Sequence, residues 1–159
     1  MTIKVLTKEL IYLIHADVIE HYGGSPGGYD NTDGKLESIL AQQYPFFGHE
    51  QYPTVFEKAA MLLYFFAKGH CFRDGNKRLA LQAAIVFLKI NGFEDMLPQH
   101  EAYMKVNAVA ESHISEENRA EYIQGITNWL RSRFIKHKGI NKNVLKRQIM
   151  SCKLNKKRS

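Results

Sequence analysis

The sequence predicts an all-α domain, and three observations carry the prediction. Apolar residues recur at a period near 3.6, no segment alternates apolar and polar residues for the length of a useful strand, and the breaks are rich in Gly, Pro, Asn and Asp. With 159 residues, 45% of them hydrophobic, the chain is long enough to bury a core as one domain without disulfide staples.

Taken in order, residues 7–22 read as an amphipathic helix, with Leu10, Ile11, Ile14, Val18 and Ile19 on one side. "GGSPGG" stops it, and residues 23–33 read as loop or a small hairpin. Asp33 is the expected cap of a short helix through Leu36, Ile39 and Leu40. After the loop "QYPFFGHEQYP", the run "TVFE" is a capping box. Thr54 accepts from the third helical amide and Glu57 reaches back to the amide of Thr54. The helix that follows, through Ala59, Leu62, Leu63 and Phe66, is apolar nearly all round and is therefore central. Gly69 is expected to end it in a left-handed conformation. "LALQAAIVFLKI" forms a second central helix that stops at Asn91 and Gly92. Residues 98–111 and 115–134 complete the set, the last with Tyr122, Ile123, Ile126, Trp129 and Leu130 on one face. No internal repeat interrupts this order.

The formal net charge of +6 is unevenly placed. From Lys136 onward there are nine Lys or Arg and no acid, which leaves 13 basic against 16 acidic residues before it, a net of −3. The chain thus divides into a domain over residues 1–135 and a basic tail over 136–159. A solvated terminus is preferred for the tail over contact with RNA, a membrane surface or an acidic partner. Two cysteines, Cys71 and Cys152, make no disulfide framework and no CxxC pair, in keeping with a reducing cytoplasm. The N-terminal residues have neither the uncharged apolar run of a membrane span nor the pattern of a signal peptide. The remaining histidines, His15, His21, His49, His100, His113 and His137, have no metal-ligand spacing.

Between the two central helices lies "GHCFRDGNKRLA", a concentration of polar groups where a connector ought to be chemically quiet. The run opens a helix, so the unpaired amides of residues 74–78 and the positive end of the helix dipole make a seat for phosphate. Gly75 leaves the backbone open to a ligand, Lys77 and Arg78 add positive charge, and Asp74 offers a hard oxygen to Mg²⁺. His70 is the residue type that takes a proton near neutral pH. Anion cradle, metal ligand and base together describe phosphoryl or nucleotidyl transfer. The Walker loop is excluded. The spacing from Gly69 to Gly75 is one residue too long, Asn76 separates glycine from lysine, and Arg78 stands in place of the hydroxyl that loop requires.

"HCFRDGNKRLA" resembles the signature of the Fic/Doc superfamily, which runs His-Pro-Phe, two residues, Gly-Asn, Gly or Lys, then Arg. The likeness extends through "HADVIEHYGGSPG", "GKLESILAQ", "YPTVFEKAAMLLYFFAKGH" and "AAIVFLKINGF", most of residues 10–95. The resemblance implies a compact helical bundle with a small flap hairpin. It implies that His70 activates a hydroxyl of a target protein, that Phe72 anchors the loop, and that Asp74 binds Mg²⁺. Gly75, Asn76, Lys77 and Arg78 would hold the phosphates of ATP or another nucleoside triphosphate. Cys71 departs from the usual proline. Lys77 and Leu81 stand where the nucleotidyl-transferring branch has glycine and a second arginine, and both match the Doc branch. That match implies protein phosphorylation, with elongation factor Tu as the known target of the branch and a separate small antitoxin as its restraint. The inhibitory motif [ST]-x-x-x-E-[GN] of many Fic proteins has no match, "SHISEE" at 112–117 coming nearest. A protein AMP-transferase and a non-catalytic binding module on the same fold stand as the alternatives.

Overall fold

The computed structural model describes residues 2–137, and the basic tail after His137, with Cys152, lies outside the described residues. Helix α1 spans Lys8–Tyr22, α2 Thr32–Ala41, α3 Val55–Lys68, α4 Asn76–Ile90, α5 Gln99–Glu111 and α6 Arg119–Arg133, with short strands β1 at Phe93–Asp95 and β2 at Phe134–Lys136. The all-α class is as the sequence predicts.

Helix α3 starts where the capping box places it. The Glu57 amide donates to Thr54 Oγ1 at 3.2 Å, and the Thr54 amide donates to Glu57 Oε2 at 2.8 Å. Its residues from Lys58 to Tyr64, with Phe66 and Ala67, are buried, which makes α3 the axis of the bundle. Helix α4 packs along it, and α1, α5 and α6 close around the pair. Small side chains on both partners, Ala59, Ala60 and Ala67 on α3 with Ala80, Ala83 and Ala84 on α4, are all buried and allow a close approach. Leu62, Leu63, Phe66, Phe87, Ile126 and Leu130 fill the space between helices. On the outer side, Glu101 of α5 accepts from Trp129 Nε1 at 2.9 Å and Arg133 Nε at 2.7 Å, tying α5 to α6. These bonds, Arg133 first, hold its carboxyl below the usual range. The buried Gln43 and the side chain of Asn91 each exchange two hydrogen bonds with the backbone of Leu6 and Lys4, fastening the N-terminal segment across the bundle.

Four local expectations are corrected. Residues 23–33 do not pair into a hairpin: Gly28 makes a single bridge to Phe72, and the small antiparallel sheet is formed instead by β1 and β2, from opposite ends of the α5 and α6 unit. Three-residue strands are too short to leave an alternating pattern in sequence. Helix α2 begins at Thr32, and Asp33, rather than capping it, lies in its first turn, where it accepts from Tyr12 Oη. The segment 115–134 divides into a 3₁₀ turn at Glu116–Asn118, helix α6 and the start of β2. Gly69 is right-handed, with φ −79°, and the reversal falls on His70 at φ +45°. Glycine is needed at 69 for space, since a Cβ there would stand 2.7 Å from the Phe65 carbonyl oxygen.

Candidate active site

The connector between α3 and α4 is short, and side chains from three other places hold nearly every carbonyl in it. Lys35 Nζ donates to the carbonyls of Gly69 at 3.2 Å and His70 at 3.3 Å. The buried Thr32 hydroxyl donates to the Cys71 carbonyl at 2.6 Å while accepting from the Tyr29 amide at 2.7 Å. His15, buried on α1, donates from Nε2 to the Asp74 carbonyl at 2.8 Å, which assigns the proton to that nitrogen. Its ring stacks on Phe72 with centroids 3.8 Å apart. The Asn76 side chain accepts from the Phe72 amide at 3.0 Å and donates to the Phe72 carbonyl at 2.9 Å. The Arg73 amide donates to the Gly27 carbonyl at 3.2 Å, joining the glycine-rich segment to the loop.

This frame separates the residues singled out from sequence into two groups. Phe72 is buried and the Asn76 carboxamide bonds with the loop backbone, so both side chains brace the loop. His70, Asp74 and Lys77 are exposed, and Arg78 is half-buried, all around the N-terminus of α4, whose cap Gly75 has φ +75°. His70 and Arg73 line an open cleft of about 650 Å³ together with Tyr29, Asp30, Asn31 and Lys35.

The first turn of α4 has no acidic residue, and among the described residues Arg73, Lys77 and Arg78 enter no salt bridge. Cations at the positive end of a helix dipole oppose it, and an anion would relieve both. Arg78 is held by aromatic faces, its guanidinium carbon 3.7 Å from the Tyr22 ring centroid and 5.4 Å from that of Tyr103. Arg73 lies 4.9 Å from the Tyr29 ring centroid.

The Asp74 carboxylate accepts from the Gly75 amide at 2.9 Å and from the Ser25 amide at 3.2 Å. A Cβ at Gly24 would stand 2.7 Å from Asp74 Oδ2, so glycine lets the 23–28 segment come this close. Among the described residues no group of three His, Cys, Asp or Glu could hold a metal by itself. One exposed carboxylate with free lone pairs fits Mg²⁺, which uses one or two carboxylates and takes its other oxygens from phosphate and water.

Residues 5–88, just over half of the chain, match the sequence profile described as the Fic/DOC family. The chain belongs to that family. It is 36% identical over 89 residues to "Protein kinase doc" of Escherichia phage P1, an alignment covering 56% of this chain and 69% of that protein. It is 44% identical over 62 residues to "Toxin Doc" of Mycolicibacterium smegmatis, covering 38% of this chain and 48% of that one. Both relatives place it on the Doc branch of the family.

For a Fic/DOC protein, Cys71 is the notable replacement within the loop. It is buried, and burial pushes its thiol above the ordinary value, with the Lys35 charge pulling partly back. The thiol therefore stays protonated near neutral pH and offers no competing nucleophile. Leu81, where a second arginine would stand on the nucleotidyl-transferring branch, is half-buried and packs against the core. Sequence reasoning missed Lys35, Thr32, His15, Tyr22 and Tyr103. The "YGG" that closes α1 is the one local hint, since it places an aromatic ring at the edge of the glycine-rich segment. No membrane-length apolar helix occurs among the described residues.

Proposed function

We propose that this chain is a Doc-type toxin that transfers the γ-phosphate of ATP, or of another nucleoside triphosphate, to a hydroxyl of a translation protein, elongation factor Tu being the candidate target. The observation that carries this reading is the set of cations without acidic partners at the α4 N-terminus, beside an exposed histidine on a preset loop. The nucleotide phosphates would lie against the first-turn amides of α4, with Lys77 and Arg78 offsetting their charge. His70 would take the proton of the target hydroxyl as its oxygen attacks the γ-phosphorus. The bond from that phosphorus to the bridging oxygen breaks, and the nucleoside diphosphate leaves with the electron pair. Mg²⁺ bound through Asp74 would neutralise charge on the phosphates.

Lys77 and Leu81 favour the γ position. Leucine provides no second guanidinium to clamp the far phosphates in the orientation that exposes the α-phosphate, and the lysine side chain occupies space that a glycine leaves open. The relative from phage P1 bears the name of a kinase, which points the same way. Incubation with a cell lysate and ATP labelled separately on the α or γ phosphate is expected to move only the γ label to protein. Transfer of the α label alone would overturn the kinase in favour of the AMP-transferase, and transfer of neither by folded protein would favour the binding module.

Restraint of such an enzyme is proposed to come from a small antitoxin, in keeping with the toxin name of the mycobacterial relative. Its C-terminal segment would fold on binding, so part of the interaction energy goes to ordering it. Expression in a bacterium is expected to arrest growth, and co-expression of an antitoxin proposed to be encoded in a small open reading frame beside the gene to restore it. Arrest that the neighbour leaves unrelieved would remove the antitoxin from the proposal.

A further inference from the structure

The direction in which His70 presents its imidazole depends on a backbone conformation that histidine does not choose freely. At φ +45° it sits in the left-handed region, where an L side chain crowds the following carbonyl. Such a residue keeps its conformation only where its surroundings over-determine it. The groups that reach this backbone come from α2. Lys35 Nζ bridges the carbonyl oxygens of Gly69, the C-cap of α3, and of His70, the next residue of the loop. Carbonyls at that end carry the negative pole of the helix dipole, and a lysine ammonium satisfies them both by hydrogen bonding and by charge. One compact ammonium with three protons can serve two carbonyls at once.

Other uses of Lys35 are absent among the described residues. It forms no salt bridge, although Glu37 and Asp33 lie on the same short helix, because both face Lys8. Its charge is felt within the loop, where it acts on the buried Cys71 thiol. Its side chain is half-buried and lines the same cleft as His70.

We infer that Lys35 is the positioning residue of the His70 base: by bridging the carbonyls of residues 69 and 70 it holds the left-handed turn that sets the imidazole at the edge of the cleft. The inference rests on the reading of His70 as the base, and Lys35 acts through the backbone without touching the transferred group. Thr32 continues the same support one residue on, so α2 as a whole serves as a splint along the loop.

The test compares Lys35→Met, which keeps an unbranched stem without donors, with Lys35→Gln, which keeps a single donor group, and Lys35→Arg, which restores charge and donors. Transfer of whichever label the wild type moves is measured at varied ATP. Carbon and nitrogen chemical shifts of His70 report its backbone conformation without reference to activity. Lys35→Met is expected to lower kcat about 10- to 100-fold, the scale of a misplaced reacting group, with KM for ATP unchanged. Lys35→Gln should fall between, Lys35→Arg should recover most of the rate, and the left-handed shifts of His70 should be lost in Lys35→Met alone. Unchanged kcat or unchanged His70 shifts in Lys35→Met overturns the inference, as does a loss that arginine fails to rescue. A His70→Ala protein that still transfers label overturns instead the reading of His70 as the base. Transfer abolished by His70→Ala but normal in Lys35→Met removes Lys35 alone.

Discussion

His70→Ala is expected to lower phosphoryl transfer about 10²- to 10⁴-fold, the range that a positioned general base contributes, and to end growth arrest. The fold should survive the change. His70 is exposed and its side chain makes no hydrogen bond among the described residues, while its carbonyl keeps the Lys35 contact through the backbone. Alanine also has a Cβ, so the left-handed strain at this position is neither added to nor relieved. The check is single-turnover transfer of the γ label beside a thermal melt of both proteins. A variant that melts like the wild type and still arrests growth at equal expression would contradict the role of His70 and favour a binding module.

Asp74→Ala is expected to cost about 10²- to 10³-fold in transfer, the scale of losing one electrostatic contact to developing charge. The carboxylate has a second task, since it accepts from the amides of Ser25 and Gly75 and so ties the glycine-rich segment to the loop. Asp74→Asn separates the two. The amide oxygen retains one acceptor for those backbone donors but loses the negative charge that a divalent cation requires. Both variants should be inactive at low Mg²⁺, with Asn partly restored at high concentrations. Wild-type activity in Asp74→Asn across a Mg²⁺ titration would show that residue 74 is a tether and not a metal ligand.

The legible parts of this protein are those whose causes lie within a few residues. The capping box of Thr54 and Glu57 forms as written, because donor and acceptor are three residues apart and the helix itself brings them together. The apolar faces of α3 and α4 are likewise local patterns, and burying both requires that the helices pack side by side with the polar run between them. The clustering of His70, Asp74, Lys77 and Arg78 follows from adjacency in the chain and from the start of a helix at Asn76.

The loop conformation was not legible, because the groups that impose it come from far away in sequence. Lys35 lies 34 and 35 residues from the carbonyls it bridges, Thr32 lies 39 from its acceptor and His15 lies 59. Local rules place the left-handed turn at Gly69, the residue that adopts it most easily, whereas Gly69 is right-handed, packed too close to the Phe65 carbonyl for a Cβ, and the turn falls on His70. The Asn76 carboxamide is a related case: its bonds to the backbone of Phe72 form only once the loop closes, and no local pattern announces them.

By itself the sequence determined the helical class, the central pair of helices, the family and the polar run that joins that pair, since periodicity, capping and a contiguous motif are short-range properties. Only the tertiary structure decided which side chains of that run stand exposed and which brace the loop, where the two short strands meet, and that the left-handed turn falls on His70. Those outcomes depend on contacts between segments that approach one another only when the apolar faces of α1, α2 and α3 are buried together, and a pattern read along one segment carries no record of its partner.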